Sequence, residues 1–205
     1  MEPFTRLTGI AVPLIEDNIN TDRIAPIQLA RKLEPDYRAL LFLRDRQDAA
    51  GGFVLDRPQF AQPAILVAGE NFGCGSSREA AVWAMLANGI RCIVARSFAD
   101  IYRENSLQNG LLPVTLPEAD ARAFEARVVA SDGATPFTVD LEARTLAAAD
   151  GWSIGFDIPE ADRTRLLKGL DDIGFTLTYA ADIAAWEQRT QRAAPWYQSA
   201  RDVRR

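Results

Sequence analysis

Histidine is absent from the 205-residue sequence, and this absence excludes several kinds of active site. Neither a Ser-His-Asp triad nor a Cys-His dyad can form within the chain. A zinc site with histidine ligands is excluded as well, and two cysteines cannot fill a four-thiolate site for zinc or for an iron–sulfur cluster. If a metal takes part in the chemistry of this protein, we expect another chain to supply most of its ligands.

Long apolar runs and a cysteine framework are also missing. Cys74 and Cys92 are too few for a set of structural disulfides, and we expect free thiols in a reducing compartment, with Cys92 in a buried strand. No apolar run approaches the roughly 18–20 residues that cross a membrane. The first ten residues, MEPFTRLTGI, lack the apolar core of a signal peptide. These features predict a cytoplasmic protein.

Acidic residues outnumber basic residues in the sequence. The formal net charge is -5 and the isoelectric point is about 4.9, so there is no basic field to attract nucleic acid. The sequence is 48% hydrophobic and 25% charged, which is typical of a soluble globular protein. We therefore expect a single domain over residues 1–205, with a flexible basic tail from about residue 193.

The centre of the sequence has the pattern of a β-α-β-α-β unit. Short apolar runs predict buried strands at Pro63–Gly69, Ile90–Ala95 and Leu111–Leu116. Helices are predicted between them. Such a unit forms a parallel sheet with right-handed crossovers, and ligands bind at the carboxyl ends of its strands.

Polar residues mark the predicted ends of these two helices. The S-x-x-E spacing of Ser76–Glu79 predicts a capping box at the start of the first helix, and Asn88–Gly89 predicts its end. The second helix is predicted to begin at Ser97–Asp100 and to end at Asn109–Gly110. Between Ala80 and Ala87 nearly every residue is apolar, so we expect the first helix to be covered on all sides.

The flanking sequence is less regular. A short helix is predicted over residues 117–128, and alternation around the Asp150–Gly151 turn signal predicts antiparallel strands over residues 136–158. Two further helices are predicted, from near Pro159 to near Gly169 and over residues 180–193. Residues 11–60 suggest only loops and short helices. The fold class is therefore α/β, with a parallel core and an antiparallel appendage.

The glycine-rich loop Glu70–Glu79 (ENFGCGSSRE) lies between a predicted strand and helix, where free N–H groups favour an anion. A phosphate ligand fits this loop poorly, because the loop has no lysine and matches the G-x-G-x-x-G motif only weakly. A nucleophilic Cys74 would lack a histidine base. A carboxylate ligand fits the planar fork of Arg78, with the Ser76 and Ser77 hydroxyls beside it.

Two interpretations of these residues stay open from chemistry alone. Ser76 is either a base with an activated oxygen or only the helix cap, and Arg78 either binds a ligand or pairs with Glu79 or Asp100. A second polar segment, NINTDRIAP, either forms a turn or places Thr21 and Asp22 in the same cleft. In that cleft, Asp22 would orient Arg78 or a serine hydroxyl.

Four segments occur in a familiar order: NINTDRIAP, ILVAGENFGCGSSREAAVWA, ARSFADIYRENSLQNGLLPV and LLKGLDDIGFTLTYAADIAAWE. With them, the chain resembles the small subunits of 3-isopropylmalate dehydratase, which correspond to the swivelling domain of aconitase. The resemblance runs from about Phe4 to Glu187. It implies a swivelling β/β/α fold and a heterodimer or heterotetramer with a large subunit that carries a [4Fe–4S] cluster. It also implies conversion of 2-isopropylmalate to 3-isopropylmalate, by dehydration and rehydration, in leucine biosynthesis.

The resemblance also assigns roles to individual residues. By position in the G-S-S-R-E motif, Ser76 matches the catalytic base, and Ser77 and Arg78 match contacts to a substrate carboxylate. Asp22 matches the active-site aspartate of the T-D element, and Thr21 is expected to line the same cleft. No metal ligand is expected in this chain.

Two departures from the family pattern leave the substrate open. Ala80 stands where the family usually has histidine, and residues 28–45 lack the expected glycine-containing segment. One alternative is a paralogous dehydratase for another short-chain substituted malate. The other is a non-catalytic swivelling subunit that regulates a partner.

Overall fold

The computed structural model describes residues 1–26, 35–49, 52–194 and 196. The chain divides into two compact units, Met1–Gly169 and Leu170–Arg205. The expected flexible tail lies almost entirely outside the described residues, as does much of the divergent 28–45 segment. The single domain over residues 1–205 stays a prediction.

The strands of the first unit form one seven-stranded sheet in the order β4-β3-β2-β1-β5-β6-β7. Strands β4, β3, β2 and β1 are parallel neighbours, and β5, β6 and β7 continue the sheet from β1 with antiparallel pairing. Their bounds are β1 Arg6–Leu14, β2 Pro63–Ala68, β3 Cys92–Ala95, β4 Leu112–Thr115, β5 Phe137–Asp140, β6 Thr145–Ala148 and β7 Ser153–Gly155. The predicted parallel core and antiparallel appendage are both confirmed.

The helices have the following bounds in chain order. They are α1 Thr21–Ile24, α2 Tyr37–Leu40, α3 Leu43–Asp48, α4 Ala80–Ala87, α5 Asp100–Asn109, α6 Glu118–Ser131, α7 Glu160–Lys168, α8 Asp172–Leu177 and α9 Ala180–Ala193. Two short 3₁₀ turns, Val54–Asp56 and Pro58–Phe60, precede β2. The helices predicted after β4, near Pro159–Gly169 and over residues 180–193 are confirmed; α8 was not predicted.

The central strand β1 was not predicted either. Its sequence, RLTGIAVPL, contains Gly9 and Pro13, both of which disfavour a strand in the middle of a sheet. The structure gives a reason for the glycine: a Cβ atom at position 9 would lie 2.4 Å from the Cβ of Ala64 on β2. Close approach of β1 and β2 therefore excludes a larger side chain at this position.

The predicted start of α4 was wrong, whereas Asp100 begins α5 as predicted and both predicted ends are confirmed. Helix α4 has Glu79 at its N-cap and α5 has Ala99, and neither cap side chain bonds the helix. The Ser76–Glu79 capping box therefore does not form. The predicted ends hold, with Asn88 as the C-cap of α4 and Gly110, at a φ of +82°, as the C-cap of α5.

Alternation along the strands divides the apolar side chains between the two faces of the sheet. On β2, Leu66 and Ala68 belong to one buried cluster, with α4 and the short N-terminal helices. Ile65 and Val67 belong to the other, with α6 and α7. Both faces are thus covered, and the loops at the carboxyl ends of the parallel strands are left at the edge of the sheet.

The second unit contains α8 and α9. The side chain of Asp171 caps α8 by accepting a hydrogen bond from the Gly174 N–H over 2.7 Å. Among the described residues, no helix is long and apolar enough to cross a membrane.

Candidate active site

Loops from three neighbouring strands meet at one edge of the sheet. Residues 15–20 follow β1, residues 69–79 follow β2, and residues 96–99 follow β3. Short backbone bridges join them, between Asn20 and Cys74 and between Phe72 and Phe98. The carboxyl ends of parallel strands meet at one edge, and the three loops therefore bring together residues that are far apart in the sequence.

Glycine is required at the turn of the middle loop. Gly73 has a φ of +77°, and a Cβ atom there would lie 2.1 Å from the ring of Tyr102 on α5. Its N–H donates to the carbonyl oxygen of Ile19 over 2.7 Å. The loop is thus held between the β1 loop and α5, which fixes the direction in which residues 74–78 leave it.

Thr21 connects the first loop to the second. Its side chain is buried, and its hydroxyl donates a hydrogen bond to the carbonyl oxygen of Ser76 over 3.0 Å. Its backbone N–H donates to the carbonyl oxygen of Cys74 over 2.9 Å. The position of Ser76 is therefore determined by the same residue that begins α1. Because Thr21 is buried, its contacts indicate support of the loop rather than a contact with a ligand.

Asp22 and Arg78 form an ion pair between Asp22 Oδ1 and Arg78 Nη1. Both side chains are partly exposed, at 41% and 35%, so a ligand can reach the pair from solvent. The alternative partners considered for Arg78 were Glu79 and Asp100. The carboxylate of Glu79 instead accepts a hydrogen bond from Asn109 Nδ2 over 2.7 Å.

Ser76 and Ser77 are both exposed. The carbonyl oxygen of Ser76 accepts hydrogen bonds from the Arg78 N–H, over 2.8 Å, and from Thr21. These contacts fix the backbone of Ser76, which is exposed two positions before Arg78 in the sequence. The loop thus carries an exposed serine and the paired arginine on a backbone that tertiary hydrogen bonds hold in place.

A second ion pair, not predicted from the sequence, holds the bases of the three loops. Arg96 Nη2 contacts Asp17 Oδ1 over 2.7 Å, and the same oxygen accepts a hydrogen bond from the Glu70 N–H over 2.7 Å. Arg96 also donates its backbone N–H to Gly69 over 3.2 Å. The only sequence signal was the position of these residues directly after strands.

Helix α4 is tied to α5 by one asparagine. Asn109 donates to Glu79 and accepts a hydrogen bond from Trp83 Nε1 over 3.0 Å. Because Glu79 is the N-cap of α4, this contact fixes the start of the helix that follows the loop. The sequence pattern indicated only that Asn109 belongs to a helix stop.

The described residues contain no cluster of three or more His, Cys, Asp or Glu side chains that could hold a metal. Cys92 is fully buried on β3, and burial raises the pKa of its thiol. Cys74 lies half-buried in the β2 loop. The two thiols thus occupy different environments, and this set of donors does not fit an iron–sulfur cluster.

A cavity of about 1060 Å³ adjoins the loops but excludes Thr21, Asp22, Ser76, Ser77 and Arg78. Its lining mixes two arginines with four acidic residues: Glu70, Arg96, Glu118, Asp120, Arg144 and Asp157. We place the candidate site at the loops rather than in this cavity. The cavity also holds hydroxyls and guanidiniums, those of Ser97, Thr115, Arg96 and Arg144, but its acidic residues oppose binding of an anion. At the loops, Ser76 and Ser77 are exposed close in the sequence to the Asp22–Arg78 pair.

Comparison with known proteins defines the class. Residues 1–119 match the family described as the aconitase C-terminal domain, and this match covers β1–β4 and all the candidate site residues. Residues 172–200 match a second family, described as the C-terminal domain of the 3-isopropylmalate dehydratase small subunit. The fold is thus that of an aconitase-like domain.

Curated relatives define the family more closely. The chain is 52% identical to the 3-isopropylmalate dehydratase small subunit of Acidothermus cellulolyticus, over 92% of this chain and 94% of that protein. It is 45% identical to that of Dinoroseobacter shibae, over 96% of this chain and 100% of that protein. The fold also resembles a crystal structure of 3-isopropylmalate dehydratase from Methanocaldococcus jannaschii, with a TM-score of 0.62 at 24% identity, covering 89% of this chain and 99% of that one. The chain belongs to the 3-isopropylmalate dehydratase small-subunit family.

Proposed function

We propose that this chain is the small subunit of a heteromeric hydro-lyase that isomerises 2-isopropylmalate to 3-isopropylmalate in leucine biosynthesis, in the cytoplasm. The observation that carries the proposal is the Asp22–Arg78 pair, which joins the loop that holds the exposed Ser76 to the start of α1 in an aconitase-like domain. A large subunit with a [4Fe–4S] cluster would complete the site. The exposure of Ser76 and Ser77 is consistent with a site shared between two chains.

In this proposal Arg78 binds a carboxylate of the substrate. Its guanidinium is a planar fork, and a carboxylate accepts two parallel hydrogen bonds from such a fork. Asp22 pairs with the guanidinium and so orients the side chain. A guanidinium has five N–H donors, enough to bond Asp22 and a substrate carboxylate together. We assign the Ser77 hydroxyl, on an exposed residue of the same loop, as a further donor to the same carboxylate.

Ser76 is proposed as the base that removes a proton from the carbon next to a carboxylate. A serine oxygen is a weak base, so a nearby positive charge must stabilise its alkoxide form. Arg78 supplies that charge two positions along the loop. An iron of the partner's cluster would supply the Lewis acid that withdraws electrons from the substrate hydroxyl.

Ser76→Ala tests the proposal in the enzyme reconstituted anaerobically with the large subunit. Because Ser76 is not a helix cap in the structure, we expect no loss of helix stability from the change. We expect kcat to fall by roughly a hundredfold or more, as for loss of a catalytic base. Ser77→Ala is the matched control on the same exposed loop and should mainly raise KM.

The isolated chain should have no dehydratase activity. Equal activity of the Ser76→Ala and wild-type pairs would exclude Ser76 as the base. Turnover of isopropylmalate by the purified single chain would contradict the shared site. A wild-type pair that assembles but turns over no substituted malate would support the regulatory alternative instead.

A further inference from the structure

The second unit exposes an unusual amount of apolar surface. Of the eight large hydrophobic side chains that are exposed in the described parts of the chain, six lie here: Ile173, Leu177, Tyr179, Ile183, Trp186 and Trp196. None of the described residues from 170 to 194, nor residue 196, is buried. Among the described residues of this unit, the two helices bury none of their side chains against each other, so the unit by itself lacks the tertiary packing that normally stabilises helices. A partner can supply the surface that covers them.

The spacing of five of these side chains places them on one face of each helix. Ile173 and Leu177 are four positions apart on α8, and Tyr179, Ile183 and Trp186 follow the i, i+4, i+7 pattern along α9. We call these five residues the apolar stripe. The opposite side of α9 carries polar groups such as Gln188 and Arg192. A helix with one apolar face and one polar face is suited to lie in a groove of another protein.

The matched families indicate what covers the stripe. The aconitase C-terminal domain ends its match at residue 119, and the segment 172–200 matches a family named for the small subunit alone. By its name, the first domain is part of a longer chain. The relatives named small subunits match this chain over nearly their whole length, including this segment. The segment that carries the apolar stripe is thus present where the aconitase-like domain is a separate chain.

We infer that the apolar stripe docks into an apolar groove of the large subunit. A separate subunit has no covalent link to its partner, so apolar contact area must supply the affinity. Trp186, with half of its side chain exposed, is the residue that we expect to contribute most, because tryptophan is enriched among the residues that dominate binding. The identity of the partner rests on the proposed function; the docking surface itself rests on the exposed stripe.

The test uses the full-length chain and the large subunit. In the double variant Ile183→Gln, Trp186→Gln, we expect the Kd for the large subunit to rise by roughly 30-fold or more, since loss of even one dominant interface residue commonly costs about 2 kcal/mol. At saturating large subunit, kcat should equal that of the wild type. The matched control is Gln188→Ala, Arg192→Gln on the polar side of α9, and it should leave Kd unchanged.

Three results would overturn the inference. The first is an unchanged Kd in the stripe variant. The second is a stripe variant that only converts dimers of the isolated chain to monomers in sedimentation, which would identify a second copy as the occupant. The third is a lower melting temperature of the isolated variant with unchanged Kd, which would show that the chain covers its own stripe. Failure of the wild-type pair to turn over substrate would instead contradict the proposed function.

Discussion

Thr21 donates its hydroxyl hydrogen to the carbonyl oxygen of Ser76 over 3.0 Å, although the two residues are 55 positions apart in the sequence. One side chain thus joins the loop after β1 to the loop after β2. Thr21 lies next to Asp22, and Ser76 lies two positions before Arg78. This hydrogen bond and the Asp22–Arg78 ion pair therefore connect the same two parts of the chain. The relative positions of the proposed base and the proposed carboxylate-binding residue depend on this hydrogen bond.

Thr21→Val removes the donor and keeps a similar shape. We expect the melting temperature of the chain to fall modestly, since a single hydrogen bond contributes roughly 0.5–1.5 kcal/mol. In the reconstituted enzyme kcat should fall, because Ser76 is no longer held in place, while KM changes little. Thr21→Ser keeps the donor and should restore most of kcat. A Thr21→Val enzyme with reduced stability but wild-type kcat would show that the bond serves folding alone.

Arg78→Lys tests recognition of the carboxylate. Lysine keeps the charge and can still pair with Asp22, but it cannot present a fork to a second carboxylate. We expect kcat/KM to fall by an amount equivalent to about 2 kcal/mol, with the fold intact. Arg122→Lys is the control, because Arg122 makes an exposed ion pair with Glu118 on α6. Kinetics of Arg78→Lys that match the control would remove Arg78 from the site.

Local signals account for what could be predicted of the fold. The β-α-β-α-β unit has uninterrupted apolar strands and Asn-Gly helix stops, which act over a few residues. Strand β1 has no such signal, because Gly9 and Pro13 interrupt it and only its neighbours make it a strand. Its central place in the sheet is a consequence of pairing with β2 and β5, which lie far along the chain.

The candidate site was predictable to a similar extent. Asp22 meets Arg78 because the carboxyl ends of parallel strands lie at one edge of a sheet. The sequence left this pair open as one of two interpretations. The capping role of Ser76 was wrong, because α4 begins only at Ala80, with Glu79 as its N-cap. The Arg96–Asp17 pair joins residues 79 positions apart, and no local pattern indicates it.

Glu125, buried on α6, provides a prediction about pH. Burial raises the pKa of its carboxyl, and Arg96, with its Nε 3.8 Å from Glu125 Oε1, opposes the shift only in part. The folded chain therefore binds this proton more tightly than the unfolded chain, whose carboxyl titrates near pH 4.3. It follows that stability falls as the pH rises from the unfolded-state pKa to the raised folded-state pKa, and the penalty persists at higher pH.

Glu125→Gln should accordingly raise the melting temperature at pH 7–8, and the gain should shrink as the pH is lowered toward about 4. Thermal unfolding across this range gives the measurement. Glu104→Gln, on the exposed side of α5, is the control and should show no such pH-dependent gain. A destabilised Glu125→Gln at neutral pH would mean that attraction to Arg96 exceeds the cost of burial.

The variant Ala80→His tests whether the histidine expected at this position changes the preferred substrate. Ala80 is the first residue of α4 and is only 8% exposed, so its methyl group packs inside the protein. We expect Ala80→His to destabilise the chain by roughly 1–3 kcal/mol, as overpacking of a buried position does. The ranking of 2- and 3-substituted malates should not change, with 2-isopropylmalate turned over best in both reconstituted enzymes. Ala87→His, at the exposed end of the same helix, controls for the added side chain and should leave stability nearly unchanged. A different best substrate, shifted by Ala80→His but not by Ala87→His, would identify a paralogous dehydratase and make residue 80 part of its specificity.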